Sequence, residues 1–264
     1  MSENIVGYTE TGHIAVLTLN SPEHGNIIDA SLAQELLDIC LRISQNNEIY
    51  LVVITGAGDK FCAGNELEYL TGTGMNLKAA VKKLRDNDIR YEVASAIALI
   101  DRPVIAAING DALGQGLELA LACDIRYASE TANFGFPQTA AGLMPMDGGT
   151  QRLPRLIGRG KSLEMILSSE IIDAGEALNI GLVSQVVSQK ELMEKTMAFA
   201  SGMAAKAPIA MRYVKEAVNK GMDLTLDQGV RLEADLYFLI HTTADRTEGI
   251  KAFQEKRKPQ FKGN

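Results

Sequence analysis

The fold class is decided by residues 103–124, which read PVIAAINGDALGQGLELALACD. Val104–Ile108 is a short, continuous apolar run typical of a buried strand, and Asn109-Gly110 ends it. Gln115–Ala122 has the length and spacing of a helix. A strand that leads directly into a helix is the repeating unit of an α/β protein with mainly parallel strands.

The same arrangement occurs nearer the N-terminus. Residues 51–55 form another apolar run, which predicts a strand buried on both faces. Residues 4–9 and 13–19 predict a hairpin. Asp29 is expected to cap the helix that follows. The apolar face of that helix comprises Leu32, Leu36, Leu37, Ile39, Cys40 and Ile43. A long helix is expected at about residues 77–99.

Beyond about Asp147 the strand signals become sparse and helical periodicity dominates. Helices are expected at residues 161–167, 174–179, 190–204, 208–219, 224–241 and 247–257. We therefore predict an α/β core over residues 1–204. Residues 205–264 would form a helical region, either a lid or an oligomerisation module.

Composition narrows the choice of compartment and partner. The formal charge of −7 provides no general attraction for nucleic acid or an anionic membrane, so neither is an expected partner. The three cysteines have no paired spacing, and the N-terminus does not resemble a signal peptide. We expect a cytosolic or equivalent soluble compartment. Three scattered histidines disfavour a metal site. One local basic cluster contains Lys251, Lys256, Arg257, Lys258 and Lys262.

Two strand-to-helix junctions, residues 59–67 and 109–118, are rich in small residues. Backbone N–H groups at the start of a helix make no intrahelical hydrogen bond, and the helix dipole is positive there. Small side chains let a ligand oxygen approach such a backbone closely. The junctions therefore indicate an anion or oxyanion site, although the glycines could also serve only to permit tight turns.

In order and spacing, several segments resemble the crotonase, or enoyl-CoA hydratase/isomerase, family. They are NSP at 20–22 with Asn26, FCAGNEL at 61–67, PVIAAING at 103–110, GLELALACD at 116–124, FG at 134–135, GGTQRL at 148–153, GLV at 181–183 and EGIKAF at 248–253.

The resemblance implies a crotonase-like spiral of ββα units with a C-terminal helical trimerisation region, so a homotrimer or homohexamer is expected. The implied substrate is an acyl-CoA. Coenzyme A would be part of that substrate, and no separate cofactor is implied. The family's oxyanion hole maps onto the backbone N–H groups of Asn65 and Gln115. The backbone at Ala63 would meet the adenine, and Phe253 and Lys256 would help to close the coenzyme A pocket.

The acid/base residues are where this sequence departs from its relatives. Glu118 matches one carboxylate of the two-carboxylate hydratases, and Gln138 stands where they have the second. A neutral amide cannot shuttle a proton at neutral pH, so Glu118 is the main acid/base candidate, with a surface or helix-face carboxylate as the alternative. Asp147 is either a second carboxylate or a cap for the helix that follows it. Residues for an apolar acyl pocket, or for ordinary core packing, are Phe136, Met144 and Met146.

The leading hypothesis is hydration, or the reverse dehydration, of an α,β-unsaturated acyl-CoA. The altered residue pair would suit a conjugated or cyclic dienoyl-CoA. Double-bond isomerisation is the alternative reaction, and decarboxylation or thioester hydrolysis would use the same oxyanion hole. A non-catalytic protein that binds coenzyme A or RNA is the alternative from another class.

Overall fold

The computed structural model of the chain describes residues 4–65 and 92–264. Its strands are β1 Val6–Thr11, β2 Ile14–Leu19, β3 Leu51–Gly56, β4 Val104–Ile108, β5 Ala112–Leu113, β6 Ile125–Ser129, β7 Asn133–Gly135, β8 Ile171–Asp173 and β9 Gln185–Val187. Its α-helices are α1 Ala30–Gln45, α2 Val93–Ala98, α3 Gln115–Ala122, α4 Gly149–Ile157, α5 Arg159–Ser168, α6 Ala174–Asn179, α7 Leu192–Ala204, α8 Pro208–Gly221, α9 Leu226–Ile240 and α10 Ala244–Gln254. Residues 22–24 and 137–141 form 3-10 turns.

The strands form two sheets. The larger has the order β1-β2-β3-β4-β6-β9, and all its pairs are parallel except the β1–β2 hairpin. The smaller has the order β5-β7-β8, with β5–β7 parallel and β7–β8 antiparallel. The predicted hairpin and the predicted mainly parallel sheet are both confirmed.

The large sheet is covered on both faces, as its sequence predicts. Val52 and Ile54 of β3 pack into the main core with residues of α1, α2 and α3. Leu51 and Val53 face the opposite side and pack in a second cluster with Leu192 of α7. Alternate residues of one strand thus fill two cores, which explains its continuous apolar sequence.

Helix α1 begins as expected. The Asp29 carboxylate accepts a hydrogen bond from the backbone N–H of Leu32 at 2.7 Å, which caps the first turn. Of the predicted apolar face, Leu37 is half-buried and the other members are buried.

Four short strands, β5, β7, β8 and β9, are not predicted from the sequence. Each has only two or three residues, too few to show a period of their own, and hydrogen bonds to a neighbouring strand define them. Strands β8 and β9 lie beyond Asp147, where strand signals in the sequence are sparse. Of the helix predicted at residues 77–99, α2 is described, and residues 66–91 lie outside the described ranges.

The C-terminal helices differ in what they pack against. Helix α7 packs on the sheet, whereas α8 and α9 pack chiefly against each other. Their outer surfaces carry exposed apolar side chains. The division at residues 204 and 205 falls just after α7, and its meaning as a domain boundary stays a prediction. None of the helices in the described ranges has the length and apolarity needed to cross a membrane.

Candidate active site

The two glycine-containing junctions lie against each other. The backbone N–H of Cys62 donates to Asp111 O, and Leu113 N–H donates to Cys62 O, both at 3.0 Å. A Cβ on Gly110 would lie 1.8 Å from Asp59 O, and a Cβ on Gly116 would lie 2.2 Å from Cys62 O. At these two positions glycine is required by the close approach of two backbones, rather than by a turn.

Two buried asparagines form hydrogen bonds with the backbone of residues 56–60, which lead into the first junction. Asn26 donates to the carbonyl oxygens of Ala57 and Lys60, at 2.9 and 2.8 Å. Asn109 donates to Gly58 O at 3.0 Å and accepts from Gly56 N–H at the same distance. These bonds supply partners for loop backbone groups that would otherwise be unsatisfied.

The same packing brings Asn65 and Gln115 together. Gly64, with a φ of +108°, precedes Asn65, and a Cβ on Gly64 would lie 3.9 Å from the backbone nitrogen of Gln115. The side-chain amide of Asn65 donates to Oε1 of Gln115. Gln115 is the first residue of α3, so its backbone N–H lies at the positive end of that helix.

Glu118 lies one turn further along α3 and is only 1% exposed, so the alternative of a surface carboxylate is wrong. Its Oε1 accepts hydrogen bonds from the backbone N–H groups of Asp147 at 2.8 Å and Gly149 at 2.7 Å. Its Oε2 is buried and has no hydrogen-bond partner within the described ranges.

The surroundings of Glu118 favour its protonated form. Burial is the main cause, and it raises the pKa of Glu118 to about 7, with a smaller contribution from the charge of Asp147. The backbone N–H groups of Gly149, Asp147 and Met146 oppose this shift because they stabilise the carboxylate. A carboxyl with such a pKa can both accept and release a proton near neutral pH.

Gln138 is near the same junction. It belongs to the 3-10 turn at residues 137–141 and is 6% exposed. Its Nε2 lies 3.1 Å from the position that a Cβ on Gly114 would take, immediately before Gln115. Its Oε1 is buried and has no hydrogen-bond partner in the part of the chain that is described.

Asp147 faces a different helix from the one expected. Its Oδ2 accepts from Ala94 N–H at 2.8 Å and from Nε2 of Gln115 at 3.1 Å. Its Oδ1 accepts from the N–H and the hydroxyl of Ser95, both at 3.2 Å. The alternative that Asp147 caps the helix following it is wrong, because Gly148 is the N-cap of α4 and Asp147 binds the start of α2. Burial raises the pKa of Asp147.

The candidate pocket residues separate into two groups. Phe136 is fully buried, and its ring lies 2.8 Å from the position of a Cβ on Gly149, beside Glu118. Met144 and Met146 are 68% and 51% exposed, so core packing is wrong for both methionines.

Known proteins share this architecture over the whole chain. The family profile described as "Enoyl-CoA hydratase/isomerase" matches residues 9–264. The chain belongs to this family. It is 42% identical to YngF of Bacillus subtilis over 264 residues, which is 100% of both chains. It is 38% identical to the crotonyl-CoA hydratase of Syntrophomonas wolfei over 98% of each chain.

The solved structures agree. The crystal structure of an enoyl-CoA hydratase from Bacillus anthracis superposes with a TM-score of 0.92 at 39% identity, covering 99% of this chain and 100% of that one. The predicted crotonase fold is confirmed, and so is the expectation that the chain is an enzyme of this family.

The three residues expected to contact coenzyme A lie in two separate segments, the first junction and the end of α10. Ala63 lies in the first junction, where its N–H donates to Gly25 O at 2.9 Å. Phe253 is 85% exposed at the end of α10, and Lys256 is exposed beyond it. These roles stay predictions. Glu66 and Leu67 of the crotonase-like motif lie outside the described residues.

One member of the basic cluster is neutralised within the chain. Arg257 makes a two-pronged ion pair with Glu248, with N–O distances of 2.6 and 2.8 Å. This pairing and the N–H of Gln260 lower the pKa of Glu248 to about 2.

Sequence reasoning missed the groups that hold the carboxylates. The N–H of Gly149 fixes Glu118, and Ser95 fixes Asp147. The Gly148-Gly149 pair was visible as part of the family pattern, but its hydrogen bond was not. Ser95 carried no signal at all, since its partner lies 52 residues away.

Proposed function

We propose that this enzyme adds water to the double bond of an α,β-unsaturated acyl-CoA, and catalyses the reverse dehydration, with Glu118 as the acid/base. The observation that carries this proposal is the hydrogen bonding of the two carboxyl oxygens of Glu118. One oxygen is held by two backbone N–H groups, and the other is buried without a partner among the described residues. An oriented carboxyl with a pKa of about 7 suits proton transfer at neutral pH.

In the proposed reaction Glu118 accepts a proton from water as the water oxygen bonds to the β-carbon. The electrons of the double bond move onto the thioester oxygen, and the α-carbon then takes the proton as that electron pair returns. The N–H groups of Asn65 and Gln115 would stabilise the charge on the thioester oxygen. Each such donor lowers a barrier by on the order of 3 kcal/mol.

Gln138 has the role of orienting the water or the substrate. Its buried amide oxygen has no partner in the described chain and can accept a hydrogen bond, but a neutral amide cannot transfer a proton at neutral pH. The kinship with a crotonyl-CoA hydratase supports a short unsaturated acyl chain as substrate. The missing second carboxylate favours a conjugated or cyclic dienoyl-CoA over simple crotonyl-CoA.

The test is turnover of a panel of enoyl-CoA and dienoyl-CoA substrates in oxygen-18 water, followed by mass spectrometry. Hydration incorporates one solvent oxygen, whereas isomerisation incorporates none. Glu118→Gln should lower turnover by about a hundredfold to ten-thousandfold and still bind acyl-CoA. Retained turnover in this variant, or products without label from every substrate, would contradict the proposal.

The Gln138→Glu variant belongs in the same experiment. It supplies a second proton-transferring group, so hydration of crotonyl-CoA should rise. A fall would mean that the neutral amide is itself needed.

We also propose that the active assembly is a homotrimer or a pair of trimers. The support is the set of exposed apolar side chains on α8 and α9, including Val214, Val218 and Phe238 at 62%, 60% and 69% exposure. Phe253 and Lys256 would complete the coenzyme A pocket of a neighbouring subunit.

A further inference from the structure

Asp147 connects three parts of the candidate active site, and we propose that it is a positioning residue rather than a proton carrier. Its carboxylate joins α2 to Gln115, while its own N–H holds Glu118. The inference rests on the proposed function of Glu118, because it assigns to Asp147 the task of fixing that carboxyl.

The hydrogen bonds of the Asp147 carboxylate argue against direct chemistry. Each oxygen accepts two hydrogen bonds, from Ala94 and Gln115 on one side and from Ser95 on the other. Asp147 is 2% exposed. Proton transfer to a substrate would require it to give up some of these four bonds, whereas Glu118 already has a buried oxygen without a partner in the described ranges.

Arg152 holds the backbone of Asp147 through a hydrogen bond. Nη1 of Arg152 donates to Asp147 O at 2.7 Å. A Cβ on Gly148 would lie 2.1 Å from that same Nη1. The turn that presents the N–H groups of Asp147 and Gly149 to Glu118 is therefore held by the Asp147 side chain and by Arg152 together.

The carboxylate also determines which way the Gln115 amide faces. Because Asp147 is an acceptor, Gln115 must direct Nε2 towards it. Oε1 of Gln115 then faces Asn65 and accepts from its side-chain amide. Asp147 thus orients, through one amide, both residues whose backbone N–H groups form the proposed oxyanion hole.

Few charged groups face Glu118. Helix α2, strand β5 and the turn at 137–141 contribute no ionisable side chain to its surroundings in the described ranges. Arg152 of α4 reaches the Asp147 carbonyl, and Asp147 is the nearby carboxylate. Removing the charge of Asp147 should therefore make Glu118 easier to ionise.

The experiment compares Asp147→Asn and Asp147→Ala with the parent enzyme. Asparagine keeps an oxygen for Ala94 and Gln115 but carries no charge. We expect Asp147→Asn to retain turnover within about tenfold and to lower the pKa of Glu118. Asp147→Ala loses all four bonds and should lower kcat by up to about a hundredfold, the cost of a misplacement of roughly 1 Å, with a smaller change in KM.

Infrared titration of the Glu118 carboxyl, with Glu118→Gln as the blank, reads the pKa without depending on turnover. The lower of the pKa values that describe the pH dependence of kcat/KM should fall by the same amount. Asp245→Asn is a matched control, since Asp245 is 3% exposed and also accepts two backbone N–H bonds, at 2.7 and 2.9 Å. It should lower the melting temperature without moving the Glu118 titration.

Two results would overturn the inference. An Asp147→Asn variant that folds and binds acyl-CoA but is as inactive as Glu118→Gln would make Asp147 a proton carrier. A variant with altered melting temperature but unchanged titration and kcat would make its role purely structural. Failure of the parent enzyme on every substrate would instead refute the proposed function, and the infrared titration would still test the link between the two carboxylates.

Discussion

At the scale of single residues, Glu118 combines burial with an incomplete set of hydrogen bonds. Burial penalises its charged form, and the backbone N–H groups of Gly149, Asp147 and Met146 compensate only in part. A buried carboxyl of this kind reduces the stability of the fold at the pH where it must ionise. The same property makes it a useful acid/base.

Glu118→Gln should therefore stabilise the protein in a pH-dependent way. The raised pKa makes the contribution of Glu118 to stability fully present below its ordinary value of 4.5 and lost as pH rises through about 7. A shift of this size corresponds to at most about 3 kcal/mol. In urea unfolding, the variant should gain stability over the parent at about pH 8 but not at about pH 4.5.

The control is Glu130→Gln, which changes an exposed glutamate in the same way. Because Glu130 is exposed, this substitution should change stability by no more than about 0.5 kcal/mol at either pH. An equal gain for Glu118→Gln at both pH values would show that Glu118 ionises in the fold as it does in the unfolded chain.

At the scale of elements, the site depends on the contact between two loops that are far apart in sequence. Gly116, the second residue of α3, lies against the backbone of Cys62. Gly160, the second residue of α5, has no atom within 4 Å of the position of an added Cβ. The two glycines occupy equivalent helical positions but differ in their surroundings.

Gly116→Ala should destabilise the protein by about 3 kcal/mol or more and abolish turnover, because backbone must move to accommodate the methyl group. Gly160→Ala should be neutral or stabilising by up to about 1 kcal/mol, since alanine is the better helix former. Thermal unfolding and turnover of both variants make the comparison. A Gly116→Ala enzyme with normal stability would mean that the junctions do not pack as described.

At the scale of the whole molecule, a partly buried ion pair joins the C-terminal helices to the core. Nζ of Lys215 in α8 lies 2.7 Å from the Asp124 carboxylate and 2.8 Å from Arg102 O. That carboxylate also accepts from Val104 N–H, at the start of β4. The inner side of α8 is thus anchored, while Val214 and Val218 remain exposed.

If α8 lies at the proposed subunit interface, Val218→Asp should dissociate the assembly. Light scattering should give three or six times the 28.5 kDa chain mass for the parent and a smaller species for the variant. Leu41→Asp, on the 54% exposed Leu41 of α1, is the control and should leave the mass unchanged. A parent enzyme that is already monomeric would contradict the proposed assembly.

The sequence by itself determined the elements with a clear local period. Strand β4 and helices α3 and α6 have the predicted bounds, and the order of the family motifs indicated the crotonase fold. It also located the two glycine-containing junctions, because a strand followed by small residues and a helix is a local pattern.

Only the tertiary structure decided what the polar side chains do. The burial of Glu118, the partners of Asp147 and the shortest strands could not be read from the sequence. Each depends on groups from distant parts of the chain, as when Asp147 meets Ser95 of α2 and Gln115 of α3. Periodicity records which face of an element is apolar, but a hydrogen bond between elements depends on their packing in space.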